Sequence, residues 1–149
     1  MKKTGMIDVG GKEQTHRTAR AAALVKMDKG IIRRIRQNGI PKGNVLENAR
    51  LAGILAAKRT SEIIAMCHNI GLEQVSIGFV LKKNAVLIEA AVKATAKTGV
   101  EMEALLAVSA SALTVYDMCK MFSRSIEIQD IYLLEKTGGK SGAYRRKNT

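Results

Sequence analysis

Two short segments of the chain hold most of the side chains that could act as acids, bases or ligands. The first contains Glu101 and Glu103, and the second contains Asp117 and Lys120. Both belong to one apolar pattern that predicts a single long helix. Because a helix rises about 1.5 Å per residue, Glu103 and Asp117 would lie roughly 21 Å apart along its axis. The chain therefore has either two separate sites or one site at a subunit interface, where a second copy brings the far end of its helix to the near end of this one.

Asp117 and Lys120 are three residues apart, so they share a helix face and can interact directly. A carboxylate beside an ammonium normally keeps both groups charged, although burial would lower the lysine pKa toward values useful for proton transfer. The simpler interpretation is a surface ion pair. Glu101 and Glu103 lie in the first helical turn, where the helix dipole favours negative charge. A capping role explains Glu101. Glu103 either has the same role or, together with Met102, binds a ligand.

A loop with the sequence Met66-Cys67-His68 follows the predicted helix of the middle region. Loop side chains are free to face a pocket, and His68, with an ordinary pKa of about 6.5, could act as an acid, a base or a hydrogen-bonding group. Adjacent side chains diverge, and His16 is the only other histidine, so we expect no zinc or other metal site.

Two segments could bind phosphate through backbone amides and lysines. The segment 138–142, which carries Lys140, resembles part of a phosphate-binding loop, but the full motif would need glycine where Leu134 stands. It therefore either wraps a phosphate or forms a flexible tail. Lys42 lies just before a predicted helix N-terminus, where an anion would be stabilised by the lysine and by free amides.

Composition limits the class of protein. The 149 residues, 46% of them hydrophobic, suit one domain over residues 1–149, with flexible tails at about 1–5 and 143–149. The formal net charge of +12 attracts polyanions, but aromatic residues make up only 3%, which is a poor platform for stacking the bases of single strands. No uncharged apolar run is long enough to span a membrane. Two cysteines are too few for a disulfide framework, so we expect a cytoplasmic protein.

The hydrophobic periodicity predicts an α+β fold. The clearest signal is a β-hairpin, with alternating apolar residues at 75–81 and 86–92 around a turn. The remaining predicted elements are, in chain order, a strand at 20–27, a helix at 28–37, a helix from 44 toward 63, a helix from 98 to about 120 and a strand at 127–135. This order predicts a ferredoxin-like antiparallel sheet with helices packed on one face.

Capping boxes mark the predicted starts of the two long helices. Asn44 is followed three residues later by Glu47, and Thr98 is followed at the same spacing by Glu101. In such a pair the first side chain accepts a hydrogen bond from a free amide of the first helical turn.

Taken together, these motifs resemble the MoaC family, the cyclic pyranopterin monophosphate synthases of molybdenum cofactor biosynthesis. The matching stretches run almost from end to end, at residues 6–9, 42–43, 49–54, 56–60, 67–68, 97–105, 116–120 and 138–142. Two positions depart from the usual pattern of the family: Asn69 stands where proline is usual, and Asn44 where aspartate is common.

The resemblance implies a lyase acting on a GTP-derived small molecule. It would convert 3′,8-cyclo-7,8-dihydro-GTP into cyclic pyranopterin monophosphate with release of diphosphate. By similarity, the catalytic residues are Asp117, Lys120 and Lys42. Substrate-binding positions would be Met66, Cys67, His68, Glu101, Met102, Glu103 and Lys58, with Lys12, Arg17 and Lys140 as phosphate contacts.

The resemblance also implies an assembly. The family forms hexamers built as trimers of dimers, with active sites at the dimer interfaces, which agrees with the separation of Glu103 and Asp117 along one helix. No tightly bound cofactor is expected, and the role of Mg²⁺ as a companion of the substrate triphosphate is left open.

Two other classes of protein compete with this interpretation. A basic module that binds RNA or DNA by its phosphates would explain the net charge but not the grouping of Glu101 with Glu103 or of Asp117 with Lys120. A purely structural oligomerisation domain would bind no nucleotide. We expect neither nucleic acid nor a membrane as a partner.

Overall fold

One antiparallel sheet of five strands organises the chain. The computed structural model describes residues 4–147. Its strands are β1 (Thr15–Lys26), β2 (Gln74–Leu81), β3 (Ala85–Ala96), β4 (Glu127–Thr137) and β5 (Tyr144–Arg145). They lie in the order β2-β3-β1-β4-β5, so the longest strands occupy the centre.

Helices cover one face of this sheet. They are α1 (Lys29–Arg36), α2 (Val45–Lys58), α3 (Thr60–Ile63) and α4 (Glu101–Cys119). The long helix α4 packs on β1, β3 and β4, while α2 packs beside it and over β2. The arrangement is α+β and consistent with a ferredoxin-like fold, as the sequence predicted.

The alternation of side chains in β1 explains which face the helices cover. Four apolar residues of this strand point toward the helices and are buried: Ala19, Ala21, Ala23 and Val25. Arg20 lies between them on the opposite face, since successive side chains of a strand alternate. There it forms ion pairs with Glu89 on β3 at 2.8 Å and with Glu135 on β4 at 3.0 Å. The centre of the sheet is therefore apolar toward the helices and paired by charge on its other side.

Most predicted elements are confirmed with shifted ends. The strand expected from residue 20 begins at Thr15, and the helix expected toward residue 63 breaks after Lys58, with α3 following as a separate short turn. The hairpin lies where its alternation placed it. β5 was not predicted, because two residues are too short to show a period.

The two predicted caps have different outcomes. Asn44 caps α2, with its Oδ1 accepting a hydrogen bond from the amide of Glu47 at 3.1 Å. The cap at Thr98 is wrong: α4 begins at Glu101, Val100 occupies the capping position, and no side chain caps it. The two residues Gly99 and Val100 stay outside the helix, so Thr98 is free to line a pocket instead.

The tails fall partly outside the structural description. Residues 1–3 and 148–149 lie outside the described residues. Within the predicted C-terminal tail, Tyr144 pairs with Lys136 and Arg145 with Glu135. The flexibility of both tails and the extent of the domain remain predictions.

By length and composition alone, α4 is the one helix within residues 4–147 that could cross a membrane. Half of its apolar window is buried inside the protein. Because the core helix of a globular domain passes the same test, this is weak evidence for a membrane span.

The helices α2 and α4 approach each other closely at a glycine. A Cβ at Gly53 would overlap the side chains of Ile77 and Ser111 and would lie 2.8 Å from the carbonyl oxygen of Ala107. Next to it, the buried hydroxyl of Ser111 donates a hydrogen bond of 2.9 Å to the carbonyl oxygen of Ala49. The two helices are therefore in backbone contact, and their relative register is fixed there.

We predict that Gly53→Ala lowers the free energy of unfolding by about 1–3 kcal/mol, because the added methyl group forces the helices apart. Gly30→Ala in α1 is the matched control, since nothing lies within 4 Å of its Cβ. It should raise stability by about 0.5–1 kcal/mol, the usual gain from glycine to alanine in a helix. Urea unfolding measures both variants, and equal shifts in the midpoint would contradict the close contact.

Candidate active site

The helix α4 separates two groups of functional side chains. At its C-terminal end lie Asp117 and Lys120, which together with Lys42 form what we call the Asp117 cluster. At its N-terminal end lie Glu101 and Glu103. Both segments belong to this one helix, so the predicted separation of roughly 21 Å between Glu103 and Asp117 applies.

In the Asp117 cluster one carboxylate is held between two ammonium groups. Lys120 Nζ lies 2.7 Å from Asp117 Oδ1, and Lys42 Nζ lies 2.8 Å from Oδ2. Lys42 also donates a 2.9 Å hydrogen bond to the backbone carbonyl of Asp117, at the negative end of the helix dipole. The structure therefore brings together all three predicted catalytic residues.

A tight turn places Lys42 at this position. The amide of Gly43 donates to the carbonyl of Ile40 at 2.9 Å, and Gly43 has a φ of 105°, which favours glycine. Asn44 then caps the N-terminus of α2. Because α2 packs along α4, the turn before α2 lies beside the C-terminal end of α4, where Asp117 is located.

The two lysines control the charge of Asp117. Hydrogen bonds from Lys120 and Lys42 lower the pKa of Asp117 to about 2. The same contact with Asp117 raises the pKa of Lys120. The side chains of Asp117 and Lys120 are 54% and 51% exposed, so both groups are ionised and in contact with water at neutral pH. The predicted ion pair exists and is part of a group of three.

An apolar groove of about 610 Å³ adjoins this cluster. It is lined by Leu51 and Leu55 of α2 together with Lys42 and Asp117, and these two leucines are 66% and 49% exposed. Leu113 of α4 is 60% exposed as well. Charged groups that can exchange protons thus face a groove with an apolar wall.

Glu103 lies in the opposite environment. Its side chain is 4% exposed, and its Oε2 has no hydrogen-bond partner within the described residues. Burial raises the pKa of Glu103, and the charge of Glu101 adds to this effect. Burial and the charge of Glu103 also raise the pKa of Cys67, which places this thiol near the carboxyl group. Glu103 is thus no simple capping residue.

The loop that carries Cys67 also contacts the N-terminal segment. Nε2 of His68 lies 2.7 Å from the carbonyl oxygen of Ile7. A carbonyl can only accept, so Nε2 carries the proton of this hydrogen bond. Met66, on the same loop, and Met102, at the start of α4, are 49% and 38% exposed. Apolar side chains on this loop and at the start of α4 are therefore accessible.

Positive side chains gather in a third place, which we call the basic pocket. It has a volume of about 880 Å³ and is lined by Lys12, Arg17, Lys97, Lys136 and Lys140, with Glu101 at its side. All three predicted phosphate contacts lie in this pocket. Lys97 and Lys136 were missed by sequence reasoning, although Lys97 opens the same segment that contains Glu101.

Arg17 connects the basic pocket to the glycine-rich segment. Its guanidinium donates to the carbonyl oxygens of Ala96 at 3.3 Å and Lys97 at 3.1 Å. Gly139, at a φ of 78°, packs so closely on this guanidinium that a Cβ there would overlap it. The segment 138–142 is therefore folded around an arginine, with Lys140 and Ser141 lining the pocket.

One predicted residue lies apart from these groups. Lys58, at the end of α2, lines a separate groove with Ile54, Ile70 and Leu72. Its assignment to the substrate rests on the resemblance alone. Residues 4–147 contain no group of three or more histidine, cysteine, aspartate or glutamate side chains that could hold a metal ion.

Comparison with known proteins gives one consistent result. The MoaC family model matches residues 6–139. A protein of Peptoclostridium acidaminophilum named cyclic pyranopterin monophosphate synthase is 52% identical over 143 residues, which cover 96% of this chain and 91% of that protein. Proteins of the same name from Heliobacterium modesticaldum and Bacillus thuringiensis are 53% and 52% identical over 144 and 147 residues, covering 95% and 96% of this chain and 91% of each relative.

We predict that Glu103→Gln stabilises the protein increasingly as the pH rises. The pKa of Glu103 is higher in the folded than in the unfolded chain, so the folded state binds its proton more tightly and wild-type stability falls as the pH rises through that interval. The advantage of the variant should be smallest below about pH 4, where both states hold the proton, and larger at pH 7.

Thermal unfolding of both proteins across this pH range tests the prediction, with Glu62→Gln, an exposed carboxylate on α3, as the control. A difference between Glu103→Gln and wild type that does not change with pH would contradict the raised pKa.

Proposed function

The chain belongs to the MoaC family, and from this we propose that it converts 3′,8-cyclo-7,8-dihydro-GTP into cyclic pyranopterin monophosphate and diphosphate, an early step of molybdenum cofactor biosynthesis. The observation that carries the proposal is the Asp117 cluster, a carboxylate held between two ammonium groups in a chain matched to the family from residue 6 to residue 139.

This reaction opens one ring of the nucleotide, builds another and closes a cyclic phosphate, so it needs several proton donors and acceptors. The Asp117 cluster supplies one carboxylate and two ammonium groups within 2.8 Å of it. When a ligand or a second subunit covers the cluster, water is removed from these groups. Loss of water raises the pKa of a carboxylate and lowers that of an ammonium, which brings both toward values suited to proton transfer.

The basic pocket suits the triphosphate of this substrate. Lys12, Arg17 and Lys140 would neutralise phosphate charge, and Lys97 and Lys136 add two further ammonium groups. Glu101 lies at the side of this pocket, and its carboxylate could coordinate a Mg²⁺ ion that is also bound by the phosphate oxygens of the substrate. We propose no tightly bound cofactor.

The buried carboxyl group of Glu103 suits the guanine-derived part of the substrate. Its buried Oε2 has no hydrogen-bond partner within the described residues, and a carboxyl group with a raised pKa can donate a proton to a ring nitrogen or oxygen that reaches it. Cys67 and His68 on the adjacent loop, with Met66 and Met102 as apolar contacts, would complete this part of the site.

We further propose that each site combines two subunits. The Asp117 cluster and Glu103 lie too far apart on α4 for one small substrate, and the exposed Leu51, Leu55 and Leu113 beside the cluster offer an apolar surface that a second copy could cover. A homo-hexamer built as a trimer of dimers in the cytoplasm, with neither membrane nor nucleic acid as a partner, is the assembly that we propose.

The proposal is tested by incubating purified protein with the cyclised dihydro-GTP intermediate. After oxidation, a fluorescent pterin should appear together with released diphosphate, with more product than enzyme. A folded, oligomeric sample that forms no product would refute the proposed activity, and the salt dependence of nucleic-acid binding would then be measured.

We predict that Lys120→Ala reduces turnover by about 10²–10⁴-fold while the fold is retained, because a positioned proton-transfer group typically contributes that much. Product formation is measured under saturating substrate, and circular dichroism checks the fold. Lys83→Ala, in the exposed turn between β2 and β3, removes the same charge elsewhere and serves as the control. Near-normal turnover of Lys120→Ala would exclude the proposed role.

We predict that two inactive variants, Asp117→Ala and Glu103→Ala, complement each other when their subunits are mixed. A shared site then forms with both wild-type halves in a fraction of the interfaces, so part of the activity returns. Subunit exchange is verified with mass-labelled chains before the assay. Exchange without recovered activity would show that the two ends of α4 do not serve one site.

A further inference from the structure

The short helix α1 carries a concentration of positive charge that the proposed reaction does not use. Three isoleucines of this helix are buried, and its exposed face contains four cationic residues and no acidic one: Lys29, Arg33, Arg34 and Arg36. Arg36 is engaged, because its Nη2 donates to the carbonyl oxygen of Leu81 at 3.1 Å. Arg34 points elsewhere and contacts the segment that follows α4.

Arg34 is held in place by an aromatic ring. Its guanidinium carbon lies 4.8 Å from the centre of the Phe122 ring. Phe122 is itself fixed, since its amide donates to the carbonyl oxygen of Cys119 at the end of α4. A stacked guanidinium keeps its N–H groups at the edge of the plane, where they remain free to bind an anion. Within residues 4–147, Arg34 forms no ion pair.

A second guanidinium lies on the same segment. Arg124 follows Phe122 by two residues, is exposed and likewise forms no ion pair within the described part of the chain. It is near Lys120: Asp117 raises the pKa of Lys120, and the charge of Arg124 opposes this rise. The turn after α4 thus carries Arg124 and, through Phe122, holds Arg34, and it begins at Lys120 of the Asp117 cluster.

We propose that Arg34, held on Phe122, and Arg124 form a phosphate-binding site beside the Asp117 cluster, separate from the basic pocket at the other end of α4. Phosphate is the ligand class that fits, because guanidinium groups bind its oxygens in pairs and the ring leaves little conformational freedom to lose. An extended single strand fits less well, since Arg34 covers one face of Phe122, the only aromatic ring among the residues of this site.

The site is tested by titrating ¹⁵N-labelled protein with inorganic phosphate at constant ionic strength and following the arginine Nε–H signals. The signals of Arg34 and Arg124 are assigned by their loss in Arg34→Gln and Arg124→Gln. Both should shift and saturate with one Kd. In Arg34→Gln, the Arg124 signal should saturate at roughly tenfold higher phosphate, the effect of one lost charged hydrogen-bond partner.

The aromatic ring has its own test. In Phe122→Leu, both arginines remain, but the stack is lost, and the Kd for phosphate should rise about two- to fivefold. Arg33→Gln removes an equal charge from the neighbouring position of α1 and should leave the Kd unchanged. No saturable shift, different Kd values for the two arginines, or the same shift with chloride would overturn the proposal.

Turnover of the cyclised dihydro-GTP by wild type and Phe122→Leu identifies the source of the phosphate. A raised KM in the variant assigns the site to the substrate, whereas an unchanged KM assigns it to a separate anion, and both results require the titration to show binding. Wild-type protein without turnover would refute the proposed activity but would leave the titration at Arg34 unaffected.

Discussion

The backbone contact between α2 and α4 at Gly53 is the constraint on which the Asp117 cluster depends. Ser111 is hydrogen-bonded to the carbonyl of Ala49 beside this glycine, so one helix cannot slide along the other without breaking a buried hydrogen bond. A slip of one helical turn would move Lys42 by about 5.4 Å, twice its distance from Asp117. The geometry of the Asp117 cluster is therefore a consequence of helix packing about 9 Å away along α4.

One helix holds two carboxyl groups in opposite electrostatic states. Asp117 is exposed and flanked by ammonium groups, so its pKa is about 2, whereas Glu103 is buried and its pKa is raised. A site that combines them has an ionised carboxylate at one end and, at the other, a carboxyl group that holds its proton more tightly than usual. When the environments of two carboxyl groups shift their pKa values in opposite directions, one group can act as an acid and the other as a base.

Several of the cations that give the chain its net charge of +12 are concentrated in a few groups. Five cations, Arg17 among them, line the basic pocket, two hold Asp117, and Arg124 lies in the turn after Lys120 with Arg34 over Phe122 of the same turn. Charge spread evenly over the surface would attract any polyanion, whereas charge concentrated in a cleft raises the local concentration of anions at that place. The charge that allowed nucleic acid as a partner from composition alone is thus, in three dimensions, divided among separate groups of side chains.

The sequence by itself determined the structural features that depend on residues close together in the chain. The hairpin, the Asn44 cap of α2 and the pairing of Asp117 with Lys120 follow from alternation or from spacings of three residues, and each lies where it was expected. Tertiary structure alone brought Lys42 to Asp117 and Lys97 to Arg17, since these contacts join residues far apart in the chain. The cap predicted at Thr98 was wrong, because a spacing of three residues does not show which of several possible residues begins the helix in the folded protein. There, α4 begins at Glu101, and Thr98 lines the basic pocket.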